Sequence, residues 1–419
     1  MSLLSLVVFL GAFRVLHVLS GDVQLDLKGA GEAVSLNLTS LVPSRSVEII
    51  PLSAEKETQQ PSSAHPVQDR AEIAVVTPAV RGGEVDLTFG GTIALETSVR
   101  QSGYYADSKR YDFTDLLSII SSQVTGDYAM AAMENLVVPS EKVSDLIAPE
   151  EVMGMLVSGG FDGLALGFAR VYDKGMDGIS GTVLAAQSAG LEVTGGYIHE
   201  GDAALTSHIH TMGNVKVAVL HYTDALTSTG KKNMKKDGNT YAVSLLDRAE
   251  QDIAIVREMG ADLVVVSVHW GTEGKTDVTS AQKSAAERLA LAGADLIIGN
   301  GPRRVQRVEY LETATDGKKH RTLCAYSLGC LLSSSNQSQA LQSVLLHVHA
   351  SVDADGQVTL KASYTPAFIW RYKQENVLRF RVIASDGPVP DGMKEDQQKK
   401  MANACSSVRK ILADFPYDE

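Results

Sequence analysis

The chain has 419 residues, 44% apolar and 21% charged, which is ample material for a globular core and too apolar for a disordered polymer. Its 38 Lys and Arg stand against 50 Asp and Glu, a formal net charge of −12 that argues against non-specific nucleic-acid binding. Cys324, Cys330 and Cys405 form no C-x-x-C pair and support neither a disulfide framework nor a zinc site, so buried reduced thiols are expected.

Residues 1–20 contain an apolar run, Leu3 to Leu19, broken by Arg14 and His17. It is short for a membrane span and has no preceding Lys or Arg, so a buried or interfacial helix is one reading. An export or anchor segment is the favoured one, because residues 21–83 read as a tether. Val23 to Val47 holds two alternating runs, either a small strand pair or linker, and Ser53 to Gly83 is a Ser/Pro/Gln-rich stretch that stays solvated. This organisation implies an extracytoplasmic protein, membrane-anchored or secreted.

From Glu84 the pattern alternates strands with helices, as in an α/β domain. Val85 to Phe89 is a strand ending at Gly90-Gly91. Phe113 to Val124 has helical spacing and leads to the strand Tyr128 to Met133. A helix opens near Pro149 and stops at Gly159-Gly160, Asp162 to Leu166 is a strand, and Asp177 to Ala189 is a helix ended by Gly190. Ala204 to Met212 and Val215 to Leu220 form a hairpin around Gly213-Asn214. Thr227 to Asn239 carries Lys231, Lys232, Lys235 and Lys236. It is expected to be a solvated loop, with a polyanion contact as the alternative.

The helix Leu245 to Met259 feeds Asp262 to Val268, a β-branched run typical of a strand covered on both faces. The helix Ser280 to Leu291 feeds the strand Asp295 to Ile298. Strands follow at Val305 to Leu311, Thr322 to Leu328, Leu341 to Val352, Val358 to Trp370 and Val377 to Ile383, with a helix at Lys394 to Leu412. Residues 84–385 are expected to form one domain, and residues 386–419 a C-terminal helix and tail.

In such sheets, ligands gather where loops leave the carboxyl ends of strands. The strand ends here are Gly90-Gly91-Thr92, Ala132-Met133-Glu134-Asn135, Gly167 to Asp173, His269-Trp270-Gly271-Thr272-Glu273 and Asn300 to Arg304. His208 with His210, and His347 with His349, would share strand faces, yet no third metal ligand is placed by sequence. Tyr104, Tyr105, Tyr111 and Phe113 read as core packing or as the lining of a sugar or peptide site. Gly299-Asn300-Gly301 is discounted as a phosphate cradle because no helix signal follows it.

These strand ends resemble motifs of the CapA-type poly-γ-glutamate capsule family, a branch of the metallophosphatase-like fold. His269-Trp-Gly-Thr-Glu273 matches that family's His-Trp-Gly-x-Glu. Phe168-Ala169-Arg170 stands where the family reads Asn-Asn-His, and Gly301-Pro302-Arg303 where it reads His-Pro-His. Leu87-Thr-Phe-Gly-Gly-Thr92 is similar to a strand ending in Gly-Asp. Ala132-Met-Glu134 is similar to Asn-Leu-Glu, and Tyr326-Ser-Leu-Gly-Cys330 to Tyr-Ser-Leu-Gly-Asn. The resemblance implies a four-layer α/β/β/α sandwich whose relatives hold metal at these positions.

A guanidinium keeps its proton and cannot ligate a metal, so the substitutions imply no metal site and no cofactor. Three functional readings follow. In the first, the chain is a non-catalytic, pseudoenzyme-like envelope protein. Arg170, Arg303 and Arg304 then bind an anionic polymer such as polyglutamate, or a partner protein of the envelope. Internal pairing of these arginines with Asp173, Glu134 or Glu273 is the competing account. In the second, His269 with Glu134 or Glu273 supplies acid–base catalysis in polymer biosynthesis. In the third, the chain is a structural envelope module.

Overall fold

The computed structural model describes residues 4–8, 14–18, 82–315 and 318–417. The chain divides into two units, Met1–Val76 and Thr77–Glu419. In the first, β1 (Leu4–Val8) and β2 (Arg14–Val18) pair antiparallel, with Leu4 opposite Val18. Leu4–Val8 and Arg14–Val18 of the apolar run are therefore strands and not parts of the buried or interfacial helix of the alternative reading, as their Val and Leu content permits. Val23 to Val47 and residues 53–81 of the expected tether lie outside the described residues. No helix among the described residues is long and apolar enough to cross a membrane.

The second unit opens with β3 (Gly83–Ile93), α1 (Thr97–Ser102), the short pair β4 (Tyr104–Tyr105) and β5 (Arg110–Tyr111), and α2 (Thr114–Leu117). There follow β6 (Tyr128–Met133), α3 (Val152–Ser158), β7 (Gly163–Ala165), α4 (Gly175–Ser188) and β8 (Glu192–Thr194). Next come β9 (Ile209–Met212), β10 (Val215–Thr223), α5 (Ser228–Asp237), α6 (Ala249–Glu258), β11 (Leu263–His269), α7 (Ser280–Ala292) and β12 (Leu296–Asn300). The remainder is β13 (Val308–Thr315), β14 (Lys318–Ala325), β15 (Cys330–Leu332), β16 (Gln342–Val352), β17 (Val358–Gln374), β18 (Val377–Ala384) and α8 (Glu395–Ile411).

These strands build two sheets. One runs β13-β14-β12-β11-β10-β9; the other runs β18-β17-β16-β3-β6-β7-β8, with β15 beside β3. In each, four neighbours run parallel: β10, β11, β12 and β14 within the first, and β3, β6, β7 and β8, out to the edge, in the second. Alternation along β11 shows how the layers form. Leu263 and Val265 join Leu87, Phe89, Leu296 and Leu346 in a core between the sheets, while Val264, Val266 and Val268 pack outward on Ile253 and Leu289 of α6 and α7. The other sheet's outer face buries Ala129, Ala131 and Met133 against Leu117, Met153 and Leu156. The result is a helix/sheet/sheet/helix sandwich.

Two expected elements differ. Thr227 to Asn239 is not a loop but contains α5. The Thr227 hydroxyl accepts from the Gly230 amide at 3.0 Å, and Gly238 closes the helix in the left-handed region, so the caps outweigh the crowded lysines. Ala204 to Met212 is a strand only from Ile209. A 3-10 turn, Leu205–His208, precedes it, so His208 and His210 do not share a strand face.

The inter-sheet core sets the stability scale. Leu346 is fully buried there, and Leu346→Ala is expected to cost about 2–5 kcal/mol in urea denaturation. Leu184, 55% exposed on α4, should cost no more than about 0.5 kcal/mol when truncated to Ala.

Candidate functional site

The carboxyl ends of β3, β6, β7, β11 and β12 converge, together with the segment after β15, on a cavity of about 720 Å³. Its wall contains the six residues the sequence offers for acid–base or anion-binding roles: Glu134, Arg170, His269, Glu273, Arg303 and Arg304. Both sheets contribute to it. The turn after β12 is shaped by Gly301, at φ +106°, where an added Cβ would lie 2.4 Å from the Trp270 carbonyl oxygen. Arg303 follows at φ 53°, in the left-handed region that a non-glycine residue occupies at a cost of about 1–2 kcal/mol.

That backbone aims the Arg303 side chain across the cavity. Nε donates to Glu134 Oε2 at 2.8 Å, and Nη2 donates to the same oxygen. Nη1 donates to Glu96 Oε1 at 2.8 Å and approaches Glu273 Oε1 at 3.6 Å. Glu96 Oε2 in turn accepts from the Ser334 amide at 2.8 Å and the Ser334 hydroxyl at 2.7 Å. One guanidinium thus gathers three carboxylates. Burial pushes the Glu134 carboxyl up, but His269 and Arg303 outweigh it and hold the group at about 2. His269 Nε2 lies 3.4 Å from Glu134 Oε1, an ion-pair approach too long for a good hydrogen bond. Glu134 Oε1 is buried without a hydrogen-bond partner, and so, on the other side of the ring, is His269 Nδ1.

The other arginines differ. Arg170 is 54% exposed and donates from Nε to Asp173 at 3.1 Å. Arg304 is 7% exposed; its Nη1 donates to the Arg303 carbonyl at 2.8 Å and its Nη2 to Gln337 Oε1 at 2.5 Å. Its Nε has no partner, and among the described residues no carboxylate pairs with it. Arg304 is a buried cation in the cavity wall with unspent donors.

Sequence reasoning missed Glu96. It ended the first strand at Phe89, whereas β3 continues through Gly90-Gly91 to Ile93 and delivers the acid to the cavity. Gly91 is needed in the middle of that strand because a Cβ there would meet the Gly329 carbonyl oxygen at 2.6 Å. It also missed His221, which is buried behind the site. His221 Nε2 bonds the Gly167 carbonyl at 2.9 Å, so Nε2 carries the proton and Nδ1 accepts from Ser267 at 2.9 Å. Burial pushes its pKa down to about 4, so it ties β10 to the loop after β7 as a neutral ring.

The remaining candidates lie elsewhere. His208 is buried against Tyr197, and His210 faces Glu192 at 3.4 Å. His347 bonds Thr88 and Thr365, while His349 bonds Asp86 at 2.8 Å. Tyr111 stacks on Phe113, which belongs to the core; Tyr104 and Tyr105 are exposed, and none of the four lines the cavity. All three cysteines are free and buried.

The family model described as "Bacterial capsule synthesis protein PGA_cap" matches residues 86–335, more than half of the chain. The chain belongs to this family. It is 26% identical over 211 residues to the capsule biosynthesis protein CapA of Bacillus anthracis, covering 50% of this chain and 49% of that relative. It is 27% identical over 218 residues to the PGA biosynthesis protein CapA of Bacillus subtilis (strain 168), covering 50% of this chain and 54% of that one. The match thus spans about half the length of these curated relatives. A fainter likeness, TM-score 0.39 at 12% identity over 78% of this chain and 56% of the other, is to the NAD nucleotidase NadN of Haemophilus influenzae.

The resemblance in the sequence implies metal in relatives, and these residues do not fit it. Glu134 Oε2 is taken twice by Arg303, and the described residues offer no group of three His, Cys, Asp or Glu able to hold an ion. A fixed guanidinium there also repels a divalent ion.

Arg303→Ala is expected to cost about 3–5 kcal/mol in thermal or urea unfolding, because it leaves Glu134 charged, buried and unpaired. Glu134→Gln in the same chain should recover part of that loss. The depressed Glu134 pKa stabilises the fold above its ordinary value near 4.5, and this contribution fades as pH falls towards about 2. Acid unfolding of Glu134→Gln should therefore be shallower across that window than in the wild type.

Proposed function

We propose that this protein is a capsule-associated protein of the cell envelope that binds an anionic polymer in the strand-end cavity, without metal-dependent hydrolysis. The observation that carries the reading is Arg304. A buried arginine in the cavity wall that pairs with no carboxylate keeps its charge uncompensated, and its forked donors suit a carboxylate or phosphate. Arg170 on the rim and the hydroxyls of Ser333, Ser334 and Ser335 offer further contacts. The names of the relatives, capsule and PGA biosynthesis proteins, support polyglutamate as the polymer and an extracytoplasmic location.

Arg303 has a different part. It neutralises the retained acids Glu96, Glu134 and Glu273, so it is the internal pairing account that fits this arginine. Acid–base catalysis by His269 with Glu134 is the less favoured reading, since a carboxylate held at about 2 is a weak base near neutral pH. Glu273 is 73% exposed and approaches Arg303 Nη1 at 3.6 Å.

Calorimetric titration with glutamate oligomers, beside glutamine oligomers of equal length, tests the proposal. Binding is expected for the acidic series alone, and a flat isotherm for both would leave a structural module. Arg304→Ala should weaken binding by about ten- to a hundred-fold, the value of one desolvated charge-assisted contact. Its melting temperature should fall less than that of Arg303→Ala, because it strands no carboxylate. Arg170→Ala, exposed and already paired with Asp173, should lose less than about fivefold.

A further inference from the structure

Helix α5 carries a charge pattern that neither the core nor the cavity explains. Gly230 and Met234 face the body of the domain, while Lys231, Lys232, Lys235 and Lys236 are all exposed. At about 100° per residue, these four cover about 140° of one helix face, as two stacked i,i+4 pairs of like charge. Among the described residues the ion-paired lysines are Lys174, Lys399 and Lys400, so none of the four is neutralised. The helix's one acid, Asp237, is taken by the Tyr172 hydroxyl at 3.3 Å. In a chain of net charge −12, such a face is an isolated basic stripe.

Its position gives the stripe meaning. The Thr227 amide, at the helix start, donates to the Ala169 carbonyl at 2.8 Å, and the Thr227 hydroxyl bonds Asp173. Asn233, six residues further on, donates to the Asp173 carbonyl at 3.0 Å. Ala169 and Arg170 line the cavity, so α5 is fastened to the loop that forms its rim. From Thr227 to Lys236 the helix rises about 14 Å at 1.5 Å per residue. An extended polyamide covers that distance in about four residues at 3.3–3.6 Å each.

We propose that the lysine face of α5 is an electrostatic rail that holds the part of a linear polycarboxylate lying outside the cavity. The proposal rests on the anion-binding reading of the cavity and adds the occupant's form: a chain long enough to pass Arg170 and run along the helix. An anionic membrane is the less suitable partner. The helix presents no exposed large apolar side chain to enter a bilayer, its Met234 being buried.

The test compares the full-length protein with a K231Q/K232Q/K235Q/K236Q variant, glutamine being nearly as helix-favouring as lysine. Each is titrated with a glutamate oligomer short enough to fit the cavity and with one several times longer, at low and at physiological salt. The wild type should prefer the long oligomer by about tenfold or more at low salt, and the preference should shrink as salt screens the exposed charges. The variant should lose that preference and keep the short oligomer's affinity, which also reports that its cavity is folded. A variant that binds the long oligomer as the wild type does would overturn the rail while leaving the cavity reading intact. So would unchanged oligomer binding with weakened binding to vesicles of anionic lipid. If the wild type binds neither oligomer, the cavity reading falls and the rail falls with it.

Discussion

The site is organised by the contact between the Arg303 guanidinium and Glu134. Glu96, Glu134 and Glu273 all approach one guanidinium in the cavity wall, and carboxylates gathered so closely repel unless a cation stands among them. Where the resemblance implies metal ions in relatives, this chain has a covalently tethered cation. Much follows from that substitution. Glu134 is locked in its ionised form, His269 approaches it as a flanking ring, and Glu96 is free to use its second oxygen on Ser334. The left-handed backbone of Arg303 is the strain that accompanies this arrangement, and the carboxylates around the guanidinium hold it in place.

Neighbouring residues have taken opposite parts. Arg303 spends its donors on internal acids and completes the interior. Arg304, one residue on, reaches only a carbonyl and an amide and keeps its charge uncompensated. A cation that is satisfied internally gains little from an incoming anion, whereas an unsatisfied one gains the contact it lacks. The internally paired arginine and the one proposed for binding are thus separated by their partners and not by their place in the sequence.

The fold was largely legible because its signals are local. The β-branched run from Asp262 to Val268 and the helices stopped by Gly190, Gly260 and Gly293 are set by propensity and capping, and the strands and helices appear where that texture places them. The unusual arginines were legible as substitutions in strand-end motifs. Their partners were not, since Arg303 and Glu134 lie 169 residues apart and only tertiary structure brings them together. Glu96 was hidden by Gly90-Gly91, which reads as a strand terminus when a close approach to Gly329 is what requires glycine. Helix α5 was hidden by its lysines, whose composition resembles a solvated loop although Thr227 and Gly238 cap it as a helix.

The segment after β15 is braced from several directions. Glu96 holds Ser334, Gln337 holds Arg304, and Arg371 of β17 donates to the Ser335 carbonyl at 3.1 Å and bonds Asn336. A wall fixed at so many points is already in its working shape before anything enters, so little ordering entropy is left for a ligand to offset. The cavity is a cradle and not a jaw. A polymer bound as proposed would meet a wall already braced by these contacts, so its own chain and not the protein would have to adapt.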